Sequence, residues 1–387
     1  MSGPLAGLCV IDCSKLLPGL YASLLLADMG ADVVHVAAPA GDRIASLQAH
    51  RLMNRNKRSL MVDLKRPQGR AVLLELARSA DVFLEGFRPG VTRRLGIDHP
   101  ALAAVNPRLV YCSLTGYGHD GPARDRVGHD INYLARAGVL GLSGPAGAPP
   151  VLPPLQMADL GGGTQAATAI LAALWHRERT GEGQFIDVAL FDCIVSWLTL
   201  VAGSHFAGQP PVRGELLLGG AYACYNVYET AEGGWLSVGA LEAAFWRNLC
   251  ETLALGEYVD QQFAPPARQG AIIAALQARF RTRTEAEWLE ALEGVEACVE
   301  PVLSLDAALS DPHVRARRMV VEAPSATPGK AVRMLGVPAK FSRTPAEIRS
   351  PGGAPGADGR AALVAWGVSA EDIAALAASG AVRLPSR

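Results

Sequence analysis

Apolar and polar positions along the chain follow two rhythms. Short apolar runs at Leu8–Asp12, Asp32–Val36, Leu60–Leu64, Asp81–Glu85 and Leu109–Leu114 have the length of strands covered on both faces. Between them, Tyr21–Met29, stopped by Gly30, and Gly69–Ser79 read as helices. Strands alternating with helices predict β-α-β units and an α/β fold with a largely parallel sheet. Further on, Gly161–Arg179 predicts a long Ala-rich helix, Gln184–Leu190 a strand and Phe191–Phe206 another helix. The Gly/Pro-punctuated stretch Gly208–Gly220 reads as a crossover to a second region. That region holds helices near Ala243–Leu255, Gln269–Thr282 and Ser304–Arg318, and one opened by the capping box Thr284-Glu-Ala-Glu287. Arg349–Gly359 reads as a mobile loop and Glu371–Ala378 as a final helix, and no internal repeat is visible.

With 387 residues, half of them hydrophobic, the chain has room for two domains. No apolar run approaches the roughly 18 residues of a membrane span, and the N-terminus lacks a basic segment before its first apolar run. The C-terminal Leu384-Pro385-Ser386-Arg387 is not a peroxisomal address of the usual form. The seven cysteines are scattered without metal-site spacing, which predicts reduced thiols, no bound metal and a cytoplasmic protein. A net charge of −1 leaves no global attraction for nucleic acid or membrane, so an anionic ligand needs a local cluster. The turn Ser14–Gly19 is no G-x-G-x-x-G loop, and the second predicted strand does not end in an acidic residue, which argues against a nicotinamide dinucleotide.

Four groups of residues could carry chemistry. Arg55, Lys57, Arg58, Lys65 and Arg88 fall at predicted strand edges, where open α/β sheets bind anions, though such charges also occur on solvated loops. Gly128-His129-Asp130 pairs an imidazole, able to act as general acid or base, with a carboxylate; a structural role fits it equally. Asp159 precedes Gly161-Gly162-Gly163 at a helix start, where glycines admit a ligand to the backbone and free amides favour negative charge. Asp159 equally suits a helix cap, as does Glu242 in Gly239-Ala-Leu-Glu242.

Taken in order, Leu5-Ala-Gly-Leu8, Leu25-Leu-Ala-Asp-Met-Gly-Ala-Asp32, Asn54-Arg-Asn-Lys-Arg-Ser59, Glu85-Gly-Phe-Arg-Pro-Gly90, Ser113-Leu-Thr-Gly-Tyr-Gly118, the Asp159 segment and Phe341-Ser-Arg-Thr-Pro345 resemble the class III coenzyme A transferase (CaiB/BaiF) superfamily. The resemblance covers nearly the whole chain. Within it, Gly128-His-Asp-Ile-Asn-Tyr133, Pro153–Gly163, Gly219–Tyr225 and Gly239–Glu242 are most similar to the α-methylacyl-CoA racemase branch. It implies a Rossmann-like coenzyme A domain built from residues 1–205 and 325–387, a linker and small domain at 206–324, and an interlocked homodimer. The active site is then expected where one chain's large domain meets the other's small domain.

The same resemblance implies that His129 and Asp159 are the two bases, that Glu242 supports His129, and that coenzyme A arrives as part of the substrate, with no prosthetic group. Arg88, the Arg55–Arg58 cluster and the Gly161–Gly162 backbone are the expected contacts. The stretch Val36-Ala37-Ala38-Pro39 brings no charge to the adenosine end.

Inverting the carbon next to a thioester carbonyl requires one base on each face and a donor for the enolate oxygen, worth about 3–4 kcal/mol in such sites. Candidate donors are amides near Asp130 or Gly161–Gly163. The alternative is coenzyme A transfer, with Asp159 as nucleophile forming a mixed anhydride and then an aspartyl-CoA thioester. A third possibility is a module that binds acyl-CoA without chemistry.

Overall fold

The computed structural model describes residues 3–39, 52–324 and 330–384. The domain boundary expected at 325 and the C-terminal Pro385–Arg387 lie outside them. The chain divides into two compact units: Met1–Ala137 with Leu155–Trp197 and Pro312–Arg387, and Gly138–Pro154 with Leu198–Asp311.

In the first unit, β1 (Cys9–Cys13), α1 (Leu17–Asp28), β2 (Asp32–Ala37), β3 (Lys57–Val62), α2 (Pro67–Ser79), β4 (Val82–Glu85) and β5 (Val110–Thr115) alternate as the hydrophobic rhythm predicts. They are followed by α3 (Asp130–Arg136), α4 (Met157–Thr180), β6 (Gln184–Ala189) and α5 (Leu190–Trp197). The described sheet runs Val382–Arg383, β3, β2, β1, β4, β5, β6, all parallel except the antiparallel C-terminal edge pair. Because β1 is followed by β2 on one side and β4 lies on the other, strand order reverses between β1 and β4. In open parallel sheets that switch point opens a crevice beyond the strands' carboxyl ends.

All six residues of β5 are buried, and Phe83 and Tyr111 pack with ring centroids 4.9 Å apart, as a strand covered by helices requires. Asn56 lies just before β3 with φ 61°, a left-handed conformation that asparagine tolerates better than most residues. Its side chain donates to Asp28 Oδ1 and accepts the amides of Arg349 and Ser350. That pins the start of the irregular 349–358 stretch, whose far end is tied by Ser59 donating to Asp358.

The second unit has a small antiparallel sheet, β7 (Tyr225–Glu229), β8 (Trp235–Gly239) and β9 (Val299–Pro301), with helices α6 (Ala243–Thr252), α7 (Pro266–Phe280) and α8 (Glu285–Ala291). Its core stacks Tyr228 on Phe280, with Trp288 edge-on to Phe280, and the Trp288 indole donates to Phe280 O at 2.7 Å. The capping box expected at Thr284 is present. Two long helices expected from the sequence are interrupted. Phe191–Phe206 breaks at Leu198. Ser304–Arg318 breaks at Asp311, which is extended (ψ 135°) because Pro312 disfavours helical geometry in the residue before it.

Candidate active site

A cleft of about 740 Å³ opens at the β1/β4 switch point. Ser14, Lys15 and Leu16 follow β1, Gly86–Pro89 follow β4, and Leu114–Tyr117 close β5; Arg124–His129, Asn132 and Tyr133 complete the wall. Five cationic side chains, Lys15, Arg88, Arg94, Arg124 and Arg126, face it against one carboxylate, Asp125. Concentrated positive charge at a switch point is suited to an extended polyphosphate ligand. Of these cations only Arg88 stood out in the sequence; Lys15 is recognisable in retrospect as the residue just beyond the first strand.

The other basic residues of the expected cluster face inward. Arg55 is buried, with its Nε and Nη2 on the Asp28 carboxylate at 3.1 and 2.6 Å and its Nη1 on Leu335 O. Lys57 is fully enclosed, donating to Leu20 O at 2.9 Å and lying 3.5 Å from Asp12. Burial pulls its pKa down to about 8 against the opposing attraction of Asp12. Arg58 pairs with Asp32 at 3.1 Å. None of the three lines the Arg88 cleft. The sequence placed them at strand edges correctly but could not show which end of β3 faced the crevice: Lys57 and Arg58 open β3, at its amino end.

His129 and Asp159 come together through the residue between them in role. His129 is the exposed N-cap of α3, its amide donating to Asn132 Oδ1 at 3.0 Å. The next residue, Asp130, accepts the amides of Ala158 and Asp159 on one oxygen, at 2.6 and 3.1 Å. Those amides belong to the first turn of α4, where helix geometry leaves them without intrahelical partners. Asp130 therefore caps a helix from a distant segment and ties the His129 segment to the turn that carries Asp159. Burial, reinforced by the Asp130 charge and opposed by His129, raises the Asp159 carboxyl to about 6. Beneath them, burial lifts the Tyr133 phenol to about 12, and its hydroxyl donates to Gly128 O at 2.8 Å.

The three glycines do not form the loop the sequence suggested. Helix α4 begins at Met157, so Gly161–Gly163 lie inside it. A side chain at Gly161 would strike the Trp197 ring at 2.7 Å, one at Gly162 would strike Leu190, and one at Gly163 would lie 2.6 Å from Pro18 O. They admit α5 and α1 close to α4 rather than a ligand to the backbone. The Ala158 and Asp159 amides at that helix start are taken up by Asp130, and Gly161–Gly163 lie within the helix. Glu242, in the second unit, is the exposed N-cap of α6.

Among the described residues no group of three or more His, Cys, Asp or Glu is arranged to hold a metal, and no helix is long and apolar enough to cross a membrane.

Residues 5–359 match the family model for CoA-transferase family III. Human alpha-methylacyl-CoA racemase is 36% identical over 354 residues, covering 88% of this chain and 90% of its own. Succinate–glutarate CoA-transferase of Agrobacterium fabrum is 32% identical over 374 residues, covering 90% and 92%. Among solved structures, a CaiB/BaiF family protein from Brucella suis has a TM-score of 0.84 at 29% identity, covering 95% of this chain and 100% of that one.

Proposed function

Because the chain belongs to CoA-transferase family III, whose relatives above are named for coenzyme A ester chemistry, we propose that it racemises 2-methylacyl-CoA thioesters by moving the proton on the carbon beside the carbonyl. The observation that carries this reading is the Asp130 bridge, which ties the His129 segment to the helix turn bearing Asp159. A stereocentre is inverted when one group removes the proton from one face and another delivers a proton to the opposite face. A carboxyl raised to about 6 can hold a proton near neutral pH and still give it up.

In the forward direction the His129 imidazole takes the α-proton and the Asp159 carboxyl gives one; in reverse the roles exchange. Each group then resets by exchange with solvent. The negative charge that grows on the thioester oxygen forms beside the amino end of α4, whose dipole favours it. Arg88, Lys15, Arg94, Arg124 and Arg126 hold the phosphates of the coenzyme in the β1/β4 cleft, and the cleft runs on to His129, so a bound thioester is led toward that base.

The second reading is coenzyme A transfer, with Asp159 as nucleophile. It is favoured by the 32% identity to a succinate–glutarate CoA-transferase. The deciding experiment is proton NMR of a chiral 2-methylacyl-CoA in heavy water with no second acid. Racemisation requires deuterium at the α-carbon and loss of optical purity; His129→Ala should abolish the loss of optical purity and leave exchange with one enantiomer at most. No exchange, an absolute need for an acceptor acid and a hydroxylamine-sensitive adduct on Asp159 would replace it with transfer.

A further inference from the structure

Glu85 closes β4 with only 1% of its surface exposed, in register with Cys13 on β1 and Ser113 on β5. A carboxyl enclosed this way is costly unless its oxygens are engaged. One oxygen, Oε2, accepts the amide of Phe87 at 2.7 Å, two residues ahead. Ser113 is held by His119 Nε2 at 2.7 Å, and Asp187, the partner of Ser113 on β6, accepts the His119 amide at 2.8 Å. Glu85 thus turns the chain back at the point where β4 gives way to Gly86-Phe87-Arg88. The turned loop is bounded by Gly90 at φ 84°, and Lys15 lies over the Phe87 ring at 5.7 Å, across the crevice.

We propose that Glu85 is the positioning residue of this loop: by accepting the Phe87 amide, it fixes where the Arg88 guanidinium meets the ligand. The inference rests on reading the cleft as the coenzyme A site. Burial raises the Glu85 carboxyl to about 7, with Asp187 adding to the rise. Glu85 touches neither substrate nor reacting atoms; it acts through one amide and the residue that follows it.

The test measures affinity for free coenzyme A, with KM and kcat for the exchange reaction, in Arg88→Ala, Glu85→Ala, Glu85→Gln, Glu85→Met and the double variant Glu85→Ala/Arg88→Ala. Losing one well-made bond to a loop that holds a charged contact corresponds to about tenfold in Kd. Glu85→Ala should raise Kd and KM by about that factor with little change in kcat. The double variant should bind no worse than Arg88→Ala, because a misplaced loop has nothing more to lose. Glu85→Gln keeps an acceptor for the Phe87 amide and should stay near wild type, while Glu85→Met, similar in size but without an acceptor, should behave like alanine.

Glu85→Ala with wild-type Kd, or an effect that adds in full to Arg88→Ala, overturns the proposal. Should Glu85→Ala fail to fold, the Gln and Met variants decide: equal Kd values in the two overturn it. If Arg88→Ala itself binds coenzyme A normally, the reading of the cleft falls first, whatever Glu85 does.

Discussion

Replacing Asp159 with asparagine should stabilise the protein while stopping its chemistry. Enclosure in the fold and the neighbouring Asp130 charge raise the carboxyl from the ordinary 3.8 to about 6. At 1.36 kcal/mol per pKa unit a shift of this size corresponds to about 3 kcal/mol. Asp159 is only partly buried, so solvent screening reduces the effect to about 1–2 kcal/mol. The unfolded chain loses this proton near pH 4, whereas the folded protein keeps it until about pH 6. Folding therefore favours the protonated group. Below pH 4 both states hold the proton and no penalty exists. Stability then falls as pH rises through the window, and above pH 6 the full penalty applies.

Asparagine never ionises. Asp159→Asn should accordingly raise Tm at pH 7.5 by a few degrees, at about 2–4 °C per kcal/mol, and leave it unchanged near pH 4. Racemisation, followed by NMR on the same preparation, should disappear, with α-proton exchange left for one enantiomer at most. A lower Tm at pH 7.5, or an equal gain at both pH values, would refute the claim that the fold holds this carboxyl against its own preference.

Arg55→Ala should cost about 3–5 kcal/mol by leaving Asp28 buried without its partner, yet leave the Kd for coenzyme A unchanged in isothermal titration; weakened binding in a folded variant would restore Arg55 to the ligand site. Gly163→Ala should destabilise by about 1–3 kcal/mol in chemical denaturation, since the new methyl group meets the Pro18 carbonyl; a neutral result would mean α4 and α1 can separate freely. Glu242→Gln should lower kcat for exchange without moving the Kd for coenzyme A, and an unchanged kcat would remove Glu242 from the mechanism. Trp175 and Phe206 are 67% and 84% exposed, an unusual display of large apolar side chains that a homodimer would cover; a stable monomer at micromolar concentration in sedimentation would exclude that state.

The parallel sheet was legible because buried strands write their pattern as continuous apolar runs, and Asp32–Ala37 and Val82–Glu85 fell within a residue of expectation. The small sheet was not, since β7 and β9 mix polar and half-exposed positions and carry no clean period. His129, Asp159 and Arg88 were picked out by chemistry and motif, and the structure places His129 and Arg88 on the cleft. What the Asn54–Ser59 charges do was not, because a basic residue reads the same in sequence whether it meets a ligand or a buried aspartate 27 positions away, as Arg55 meets Asp28. The glycine triplet misled for a related reason. Glycine signals that something comes close, and here the close neighbours are Trp197, Leu190 and Pro18.

The Asp130 bridge divides labour between two adjacent residues. Asp130 secures the amino end of α4, and the side chain of His129 is not needed for that attachment. Position 129 is therefore a socket: its occupant can change while the carboxylate of Asp159 stays in place. A chain that keeps the anchor and exchanges the imidazole for a residue that cannot carry a proton retains a lone carboxylate at a helix start, the minimum that acyl transfer through an aspartyl intermediate demands. On the proposed reading, a single substitution at that socket would leave the Asp159 frame intact while removing the second base.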